Sequence, residues 1–156
     1  MPGLGKCERL FSMGNPNPGP GNKERKQLFE SQKKEGKSLF YNHFLRIEDN
    51  IVKGAFGMGG CWITDLRGAD GFQVEVEHSH DSDEIIGFVG SDSTRPYELG
   101  AELELWLDGE KYVITSSCLI FIPAGMMHCP LYIRKLDRPV FQFGATVGKR
   151  YVYDIG

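Results

Sequence analysis

The sequence predicts an all-β fold, a sandwich or a barrel, and three observations support this. The 156 residues include 20 glycines and 8 prolines, which are spread along the chain rather than gathered in one tail. From Ser38 onward, short apolar segments alternate with these turn-forming residues. Several segments also alternate apolar and polar residues, which is typical of a strand with one buried face. Hydrophobic residues make up 40% of the chain, so a wholly disordered protein is excluded.

Charge, hydropathy and cysteine usage exclude other classes of protein. The formal net charge is −3, and no broad basic surface for nucleic acid is expected. No apolar stretch approaches the roughly 18 residues of a membrane helix, and the first residues lack the apolar segment of a secretory signal. The four cysteines are scattered without a CxxC pair, which favours reduced thiols: Cys7, Cys61, Cys118 and Cys129. We therefore expect a soluble, cytoplasmic protein with neither nucleic acid nor membrane as a partner.

The N-terminal part of the chain differs in composition from the rest. Residues 1–22 contain MGNPNPGPGN and predict an extended or disordered arm. Residues 23–37 are rich in helix formers with interleaved basic and acidic side chains, and they predict a short surface helix with a solvated face. The predicted organisation is an N-terminal arm with a short helix over residues 1–37 and a single β-barrel domain over residues 38–156.

Nine segments after the arm predict strands. The first, SLFYNHFLRI, is aromatic and ends at the turn-like EDN, while the second, VKGAFGMGGCWIT, is glycine-rich and therefore bulged or closely approached by another backbone. FQVEVEHSH and AELELWL alternate cleanly, with Leu103, Leu105 and Leu107 facing inward and Asp108-Gly109 forming a hairpin turn. The remaining strands are EIIGFVG, KYVIT, CLIFI, CPLYIRK and PVFQFGA, and SDSTRPYELG is a loop.

Two histidines two residues apart give the first chemical signal. In FQVEVEHSH, Val74, Val76, His78 and His80 share one face, because alternate residues of a strand project to the same side about 7 Å apart. Imidazoles in an apolar interior need partners for their polar atoms. A divalent metal can take a neutral nitrogen from each ring while another acceptor fixes the opposite nitrogen. An isolated HxH pair also occurs by chance on many strands, so further ligands decide between these interpretations.

Two more residues extend the pair to a complete metal site. Glu84 follows His80 just past a turn, and His128 follows the CLIFI strand and a Pro-x-Gly turn. Three imidazoles and one carboxylate leave one or two positions open on a five- or six-coordinate ion. We therefore predict His78, His80, Glu84 and His128 as metal ligands, with Glu84 also able to detach and act as a base.

These residues lie in two motifs that resemble those of the cupin superfamily. His78-Ser-His80-x3-Glu84 precedes Pro123-x-Gly125-x2-His128 in the same order, and the resemblance covers roughly residues 60–145. It implies a jelly-roll β-barrel, or double-stranded β-helix, with a metal bound inside by the same four side chains. The chain departs from the family pattern at three positions that are not ligands: Ser117 and Tyr132 stand for a glycine and an asparagine, and Gly71 is displaced by one residue.

Other polar and aromatic residues near these motifs have weaker functional predictions. His43 is expected to be a core or interface histidine, and Asp81 and Asp83 are expected to be turn residues. Cys129 should point away from the metal by strand alternation. Trp106 and Gln142 interrupt the apolar pattern of their strands, so each faces either solvent or the cavity.

The resemblance and the ligand set together favour a metal-dependent enzyme. Fe²⁺ is favoured because this ligand set is common for iron among cupins, which implies a dioxygenase-like oxidoreductase that chelates a small organic substrate. Zn²⁺, Mn²⁺ or Ni²⁺ would instead act as a Lewis acid in isomerisation, elimination or hydrolysis. A binding or sensing module that does not turn its ligand over is the alternative from another class. A homodimer is also expected, by exchange of edge strands that include SLFYNHFLRI.

Overall fold

The computed structural model describes residues 5–13 and 22–147, most of which belong to two antiparallel β-sheets. Within the predicted arm, Gly5–Leu10 form a 3₁₀ helix, and the Ser12 hydroxyl donates a hydrogen bond to the backbone oxygen of Arg46. The other arm residues, 1–4 and 14–21, lie outside the described residues, as do residues 148–156 at the C-terminal end.

One α-helix, α1 (Lys23–Lys34), lies within the range predicted as helical. It begins at Asn22, whose side-chain oxygen accepts the backbone N–H of Glu24 at 2.8 Å and so caps the first turn. One side of α1 is docked rather than solvated: the Phe29 ring meets Phe72 edge-on at 5.0 Å, and Gln32 is buried. None of the described helices is long and apolar enough to cross a membrane.

Nine strands follow within residues 22–147, and they confirm the predicted all-β fold class. Their bounds are β1 (Ser38–Ile47), β2 (Gly57–Arg67), β3 (Phe72–Glu75), β4 (Glu84–Gly90), β5 (Glu98–Leu107), β6 (Glu110–Ser116), β7 (Cys118–Ile122), β8 (His128–Leu136) and β9 (Val140–Thr146).

Three of these strands differ clearly from the sequence prediction. Strand β2 begins at Gly57, five residues after the start of the predicted segment VKGAFGMGGCWIT, because residues 51–54 form a turn. The alternating segment FQVEVEHSH is a strand only as far as Glu75, because a register shift opposite β8 between Gln73 and Glu75 ends the regular pairing. This shift buries Glu75, which simple alternation would place on the outer side. Strand β5 begins at Glu98, inside the segment predicted as a loop.

The strands form two sheets that face each other across the core. The five-stranded sheet has the order β1-β2-β9-β4-β7 and the four-stranded sheet has the order β3-β8-β5-β6, so most neighbours are distant in sequence. This crossing pattern is that of a jelly roll. The largest fully buried side chains lie between the sheets and include Phe72, Phe88, Leu103, Leu105 and Ile133. Leu107 is only half-buried, so two of the three predicted inward leucines are completely enclosed.

Several turns contain residues in the left-handed backbone region, among them the turn between β5 and β6 and the turn before β3. Asp108 and Gly109, with φ of +49° and +79°, join β5 to β6 as the predicted hairpin turn. Gly71 has φ of +79°, and a Cβ there would lie 2.4 Å from the backbone oxygen of Ile133. Glycine is therefore required at position 71, immediately before β3.

Candidate metal centre

His78 and His128 are brought together by the backbone. The N–H of His78 donates to the carbonyl of His128 at 3.0 Å, and the N–H of His128 donates to the carbonyl of His78 at 2.9 Å. This isolated antiparallel bridge joins the chain that leaves β3 to the first residue of β8. The two ring centroids are consequently 4.2 Å apart.

The Pro-x-Gly turn before His128 is held by hydrogen bonds to the motif that contains His78, His80 and Glu84. The carbonyl of His80 accepts the N–H of Gly125 at 2.8 Å. The carboxylate of Asp83 accepts the N–H of Ala124 at 2.9 Å, which is the turn role predicted for Asp83. Gly125 adopts φ of +83°, so the chain reverses sharply before His128. The two motifs are therefore joined by hydrogen bonds as well as by their side chains.

The structure brings the four predicted ligands into one buried cluster. His78, His80 and His128 are at most 3% exposed, and one ligating atom of each lies within 4.8 Å of the others. Glu84, the first residue of β4, places its Oε2 atom 2.5 Å from Nε2 of His80 and 3.7 Å from Nε2 of His128. The interior therefore offers three clustered imidazoles, with a carboxylate beside two of them.

Backbone carbonyls orient all three rings. Each Nδ1 lies 2.8–2.9 Å from one carbonyl oxygen, that of Val76 for His78, of Ser82 for His80 and of Met126 for His128. A carbonyl can only accept, so Nδ1 carries the proton in each ring. The neutral rings of His78 and His128 then present a lone pair at Nε2, whereas Nε2 of His80 shares a proton with Oε2 of Glu84 at 2.5 Å. Among the described residues, Nε2 of His128 is buried and has no hydrogen-bond partner. A cation is the partner that suits a buried nitrogen with only a lone pair to offer.

Burial also favours the neutral, ligating form of these rings. It lowers the pKa of His128 to about 4, and the nearby imidazoles of His78 and His80 lower it further. Burial likewise lowers the pKa of His78, with a smaller contribution from His80. Two of the three rings are therefore neutral at pH 7 and ready to bind a metal. Nitrogen and carboxylate donors together suit Fe²⁺, Mn²⁺, Zn²⁺ or Ni²⁺.

The cysteines and the fourth histidine lie outside this cluster. All four cysteines are free thiols. Burial raises the pKa of Cys61 to about 11 and that of Cys129 well above its usual range, so these two thiols stay protonated. His43 lies on β1 and is exposed rather than in the core, with its ring 5.2 Å from that of Tyr41.

The other residues singled out in the sequence lie on different sides of the two sheets, some facing outward and one facing inward. Trp106 donates to Glu104 at 3.1 Å, and Tyr132 stacks under the Arg134 guanidinium at 4.1 Å, on the outer side of the four-stranded sheet. Gln142 pairs with the buried residues Cys61 and Phe88, which places it on the inner side of the five-stranded sheet. The Ser117 hydroxyl accepts the N–H of Gly90 at 2.9 Å.

Sequence reasoning missed the support that α1 gives to the chain leading to His78. Arg25 donates to the carbonyl of Val74 at 3.1 Å. The Gln32 amide accepts the N–H of Gln73 at 2.7 Å and donates to its carbonyl at 2.9 Å. Arg25, Phe29 and Gln32 lie at the spacing of one helix face, but two of the three are polar, so hydrophobic periodicity does not reveal this face.

Comparison with known proteins identifies the chain by its fold. No family model and no curated protein matches the sequence. Among solved structures, one of oxalate oxidase matches with a TM-score of 0.51 and 14% identity over 94% of this chain, which spans 63% of that longer chain. EutQ from Clostridium difficile matches with a TM-score of 0.42 and 17% identity over 73% of this chain and 72% of its own. A cupin superfamily protein from Desulfitobacterium hafniense matches with a TM-score of 0.45 and 11% identity over 71% and 79%.

Identities this low establish the fold alone. The match to oxalate oxidase extends over 94% of this chain and so includes both sheets. The chain therefore has the cupin fold, with three buried histidines that can bind a metal ion.

Proposed function

We propose that the protein is a metal-dependent enzyme with dioxygenase-like chemistry on a small organic substrate. In this proposal, His78, His80, Glu84 and His128 bind one divalent ion, with Fe²⁺ as the first choice. The observation that supports it best is the buried cluster of three oriented imidazoles, two of which lie beside the Glu84 carboxylate.

The surrounding residues fix the orientation of the site's side chains in the absence of an ion. The Nδ1–carbonyl hydrogen bonds orient the rings, and burial of the four side chains limits the access of water. A bound Fe²⁺ would supply open positions for a chelating substrate and for O₂. Glu84 is the residue to which we assign the removal of a substrate proton, at Oε2.

Charge suggests the class of substrate. Three neutral imidazoles and one carboxylate leave a divalent centre with a net positive charge, which favours an anionic or readily deprotonated ligand. Two adjacent open positions suit a chelate with two oxygen donors, such as a small hydroxy acid, a catechol or an enol. A matching oxalate oxidase structure holds the substrate analogue glycolate, so oxalate and glycolate belong in a first probe panel with a catechol and a β-diketone.

The first experiment measures the metal and its open positions. Protein purified without chelators is assayed for metal content, then loaded anaerobically with Fe²⁺ and exposed to nitric oxide. We expect about one metal per chain and the spectrum of an iron–nitrosyl, which requires an accessible coordination position. His80→Ala should lose most of the metal, whereas His43→Ala, which changes the histidine outside the cluster, should retain it. Unchanged metal content and thermal stability in His80→Ala would refute the site.

The second experiment separates the chemistries. Oxygen consumption with one of the panel compounds, lost in Glu84→Gln while Fe²⁺ is still bound at saturating concentration, supports the dioxygenase proposal. Tightly bound Zn²⁺, Mn²⁺ or Ni²⁺ with no oxygen consumption would favour Lewis-acid chemistry. Reversible binding of a compound without turnover under either metal would favour the sensing module instead.

The free thiols favour a reducing cellular compartment for this enzyme. All four cysteines are free, and two of them are buried with raised pKa values. We therefore propose the cytoplasm as its location, where such thiols persist without forming disulfides. Localisation of a tagged chain tests this directly, and an extracytoplasmic signal would contradict it.

A further inference from the structure

We infer that Gln142 determines the substrate specificity of the metal centre, by a hydrogen bond to an uncharged polar group at the end of the substrate remote from the metal. This role rests on the proposed function, because the other end of the substrate is the one that chelates the ion. It narrows the substrate class to short hydroxy acids with a hydroxyl or carbonyl group at the far end. Gln142 lies on β9 and faces the inner side of the five-stranded sheet, since it pairs with the buried residues Cys61 and Phe88.

The side-chain amide of Gln142 is available to a ligand. With the described part of the chain, this amide forms no hydrogen bond. Gln142 is half-buried, whereas its neighbours Cys61 and Phe88 are at most 6% exposed. An inward side chain that solvent still reaches marks open space inside the barrel at this point. An amide offers both donors and an acceptor, and inside an apolar wall these groups need partners.

Two glycines leave open space between Glu84 and Gln142. On the inner side of the sheet, Gly144 of β9 pairs with Gly59 of β2, two residues along β9 from Gln142. A Cβ on Gly144 would lie 3.5 Å from Oε1 of Glu84, and a Cβ on Gly59 would have only a backbone oxygen within 4 Å. Among the described residues, the Glu84 carboxylate is therefore the side-chain group that borders this space. We call the space the glycine slot.

The glycine slot is short. The Cα atoms of Gly144 and Gln142, two residues apart on one strand, are separated by about 7 Å. Because the Glu84 carboxylate lies beside Gly144, roughly two or three carbon atoms bridge the distance from a metal chelate to the Gln142 amide. Beyond Gln142, the paired residues Val140 and Ile63 are at most 1% exposed and close the slot. The slot therefore suits a ligand of about four carbon atoms.

The two ends of the glycine slot differ in charge. A divalent ion with one carboxylate ligand keeps a net positive charge and attracts the anionic end of a ligand. At the other end, Phe88 is apolar, and burial raises the pKa of Cys61 to about 11, so that its thiol is uncharged at neutral pH. The cation that acts on Cys61 is Arg25, which donates to the carbonyl of Val74 and lies 3.9 Å from the Glu75 carboxylate. An anion at this end would therefore find no uncompensated cation, whereas an amide satisfies a hydroxyl or a carbonyl.

The affinities of two matched ligands test the role of Gln142. Co²⁺-loaded protein is titrated with 2-hydroxybutyrate and with 2,4-dihydroxybutyrate, which differ by one terminal hydroxyl group, and the visible absorption of Co²⁺ reports binding without turnover. We expect the wild-type chain to bind the dihydroxy acid about 10-fold more tightly, the effect of one hydrogen bond. Gln142→Met keeps the size of the side chain and removes the amide, so the two ligands should then bind equally. Gln27→Met, the same change at an exposed position of α1, should retain the preference.

Two further variants keep the test decisive. Gln142→Leu removes the amide with a different side chain if circular dichroism shows that Gln142→Met does not fold. Gln142→Glu again provides an acceptor for the hydroxyl proton, so the preference for the dihydroxy acid should return. Equal affinities in the wild-type chain, or an unchanged preference after the amide is removed, would overturn the inference and leave the metal site intact. Protein that binds neither Co²⁺ nor Fe²⁺ would instead refute the metal site, and with it both the proposed function and this role of Gln142.

Discussion

Each histidine of the cluster donates a hydrogen bond from Nδ1 to a backbone carbonyl two residues away in the sequence. His78 and His128 reach back to Val76 and Met126, and His80 reaches forward to Ser82. Because the acceptor is local, the direction of each ring follows from the backbone around it rather than from a distant side chain. Metal binding therefore needs little rearrangement of the rings, and their ordering is achieved during folding.

The lowered pKa of His128 predicts a pH-dependent stability of the metal-free protein. Its pKa is about 4 in the fold and about 6.5 when unfolded. Between these two pH values, the His128 imidazole is protonated in the unfolded chain and neutral in the folded chain. The free energy of unfolding therefore falls as the pH drops from about 6.5 to about 4. The expected loss is about 3 kcal/mol. Urea denaturation in EDTA at several pH values measures it, and His128→Asn should show a smaller change. A flat profile for the wild-type chain would contradict this.

At the residue scale, the sequence indicated a cluster but not all of its surroundings. The spacing of His78, His80 and Glu84, with His128 after a Pro-x-Gly turn, predicted side chains that the structure places close together, and their role as metal ligands stays a prediction. The burial of Glu75 could not be read from the alternating pattern, because it follows from a register shift opposite β8. Register depends on the partner strand, which a single segment does not reveal.

At the scale of elements, replacing the glycine in the turn before β3 is expected to destabilise the fold more than replacing the glycine in the turn between β5 and β6. Gly71→Ala and Gly109→Ala both place a side chain at φ of +79°. Gly109 has no atom within 4 Å of the added Cβ, whereas at Gly71 the Cβ would lie 2.4 Å from the oxygen of Ile133. We expect a cost of about 1 kcal/mol at Gly109 and about 2 kcal/mol more at Gly71. Denaturation of both variants measures the difference, and equal costs would contradict the close approach.

The docking of α1 predicts a second contrast between two helix positions. Gln32→Ala removes both hydrogen bonds to the backbone of Gln73, and we expect it to cost about 2 kcal/mol of unfolding free energy. Lys33→Ala removes only an exposed ion pair with Glu30 and should cost about 0.3 kcal/mol. Thermal denaturation compares them, and limited proteolysis should cut within α1 more readily in Gln32→Ala. A neutral effect at Gln32 would show that the helix is not held by these bonds.

The order of elements was predictable because most strands begin and end at glycine, proline or aspartate turns. The docked face of α1 was not, because only Leu28 and Phe29 are large apolar residues in that segment. The helix is attached largely through the polar side chains of Arg25 and Gln32, which hydrophobic periodicity does not detect. Polar docking of this kind becomes visible only when the backbone acceptors on β3 are known.

For the whole molecule, removal of the metal should lower thermal stability. A ligand that binds only the folded state at 100 times its Kd stabilises that state by about 2.7 kcal/mol. For a chain of this length, this corresponds to a shift in Tm of roughly 5–10 °C. Melting curves with Fe²⁺ and with EDTA measure the shift for the wild-type chain, and His43→Ala should behave like it. The same comparison for His80→Ala should show almost no difference, and a full shift there would place the metal elsewhere.

The paired hydrogen bonds between Gln32 and Gln73 have a consequence for how the molecule behaves in a crowded solution. Strand β3 lies at the end of its sheet, where a row of bare peptide groups would act as a template for strands from other molecules. The side-chain amide of Gln32 forms hydrogen bonds with both the backbone N–H and the backbone carbonyl of Gln73, as an added strand would. A chain that loses α1, through proteolysis or truncation, should therefore polymerise more readily, and thioflavin fluorescence of such a fragment would reveal it.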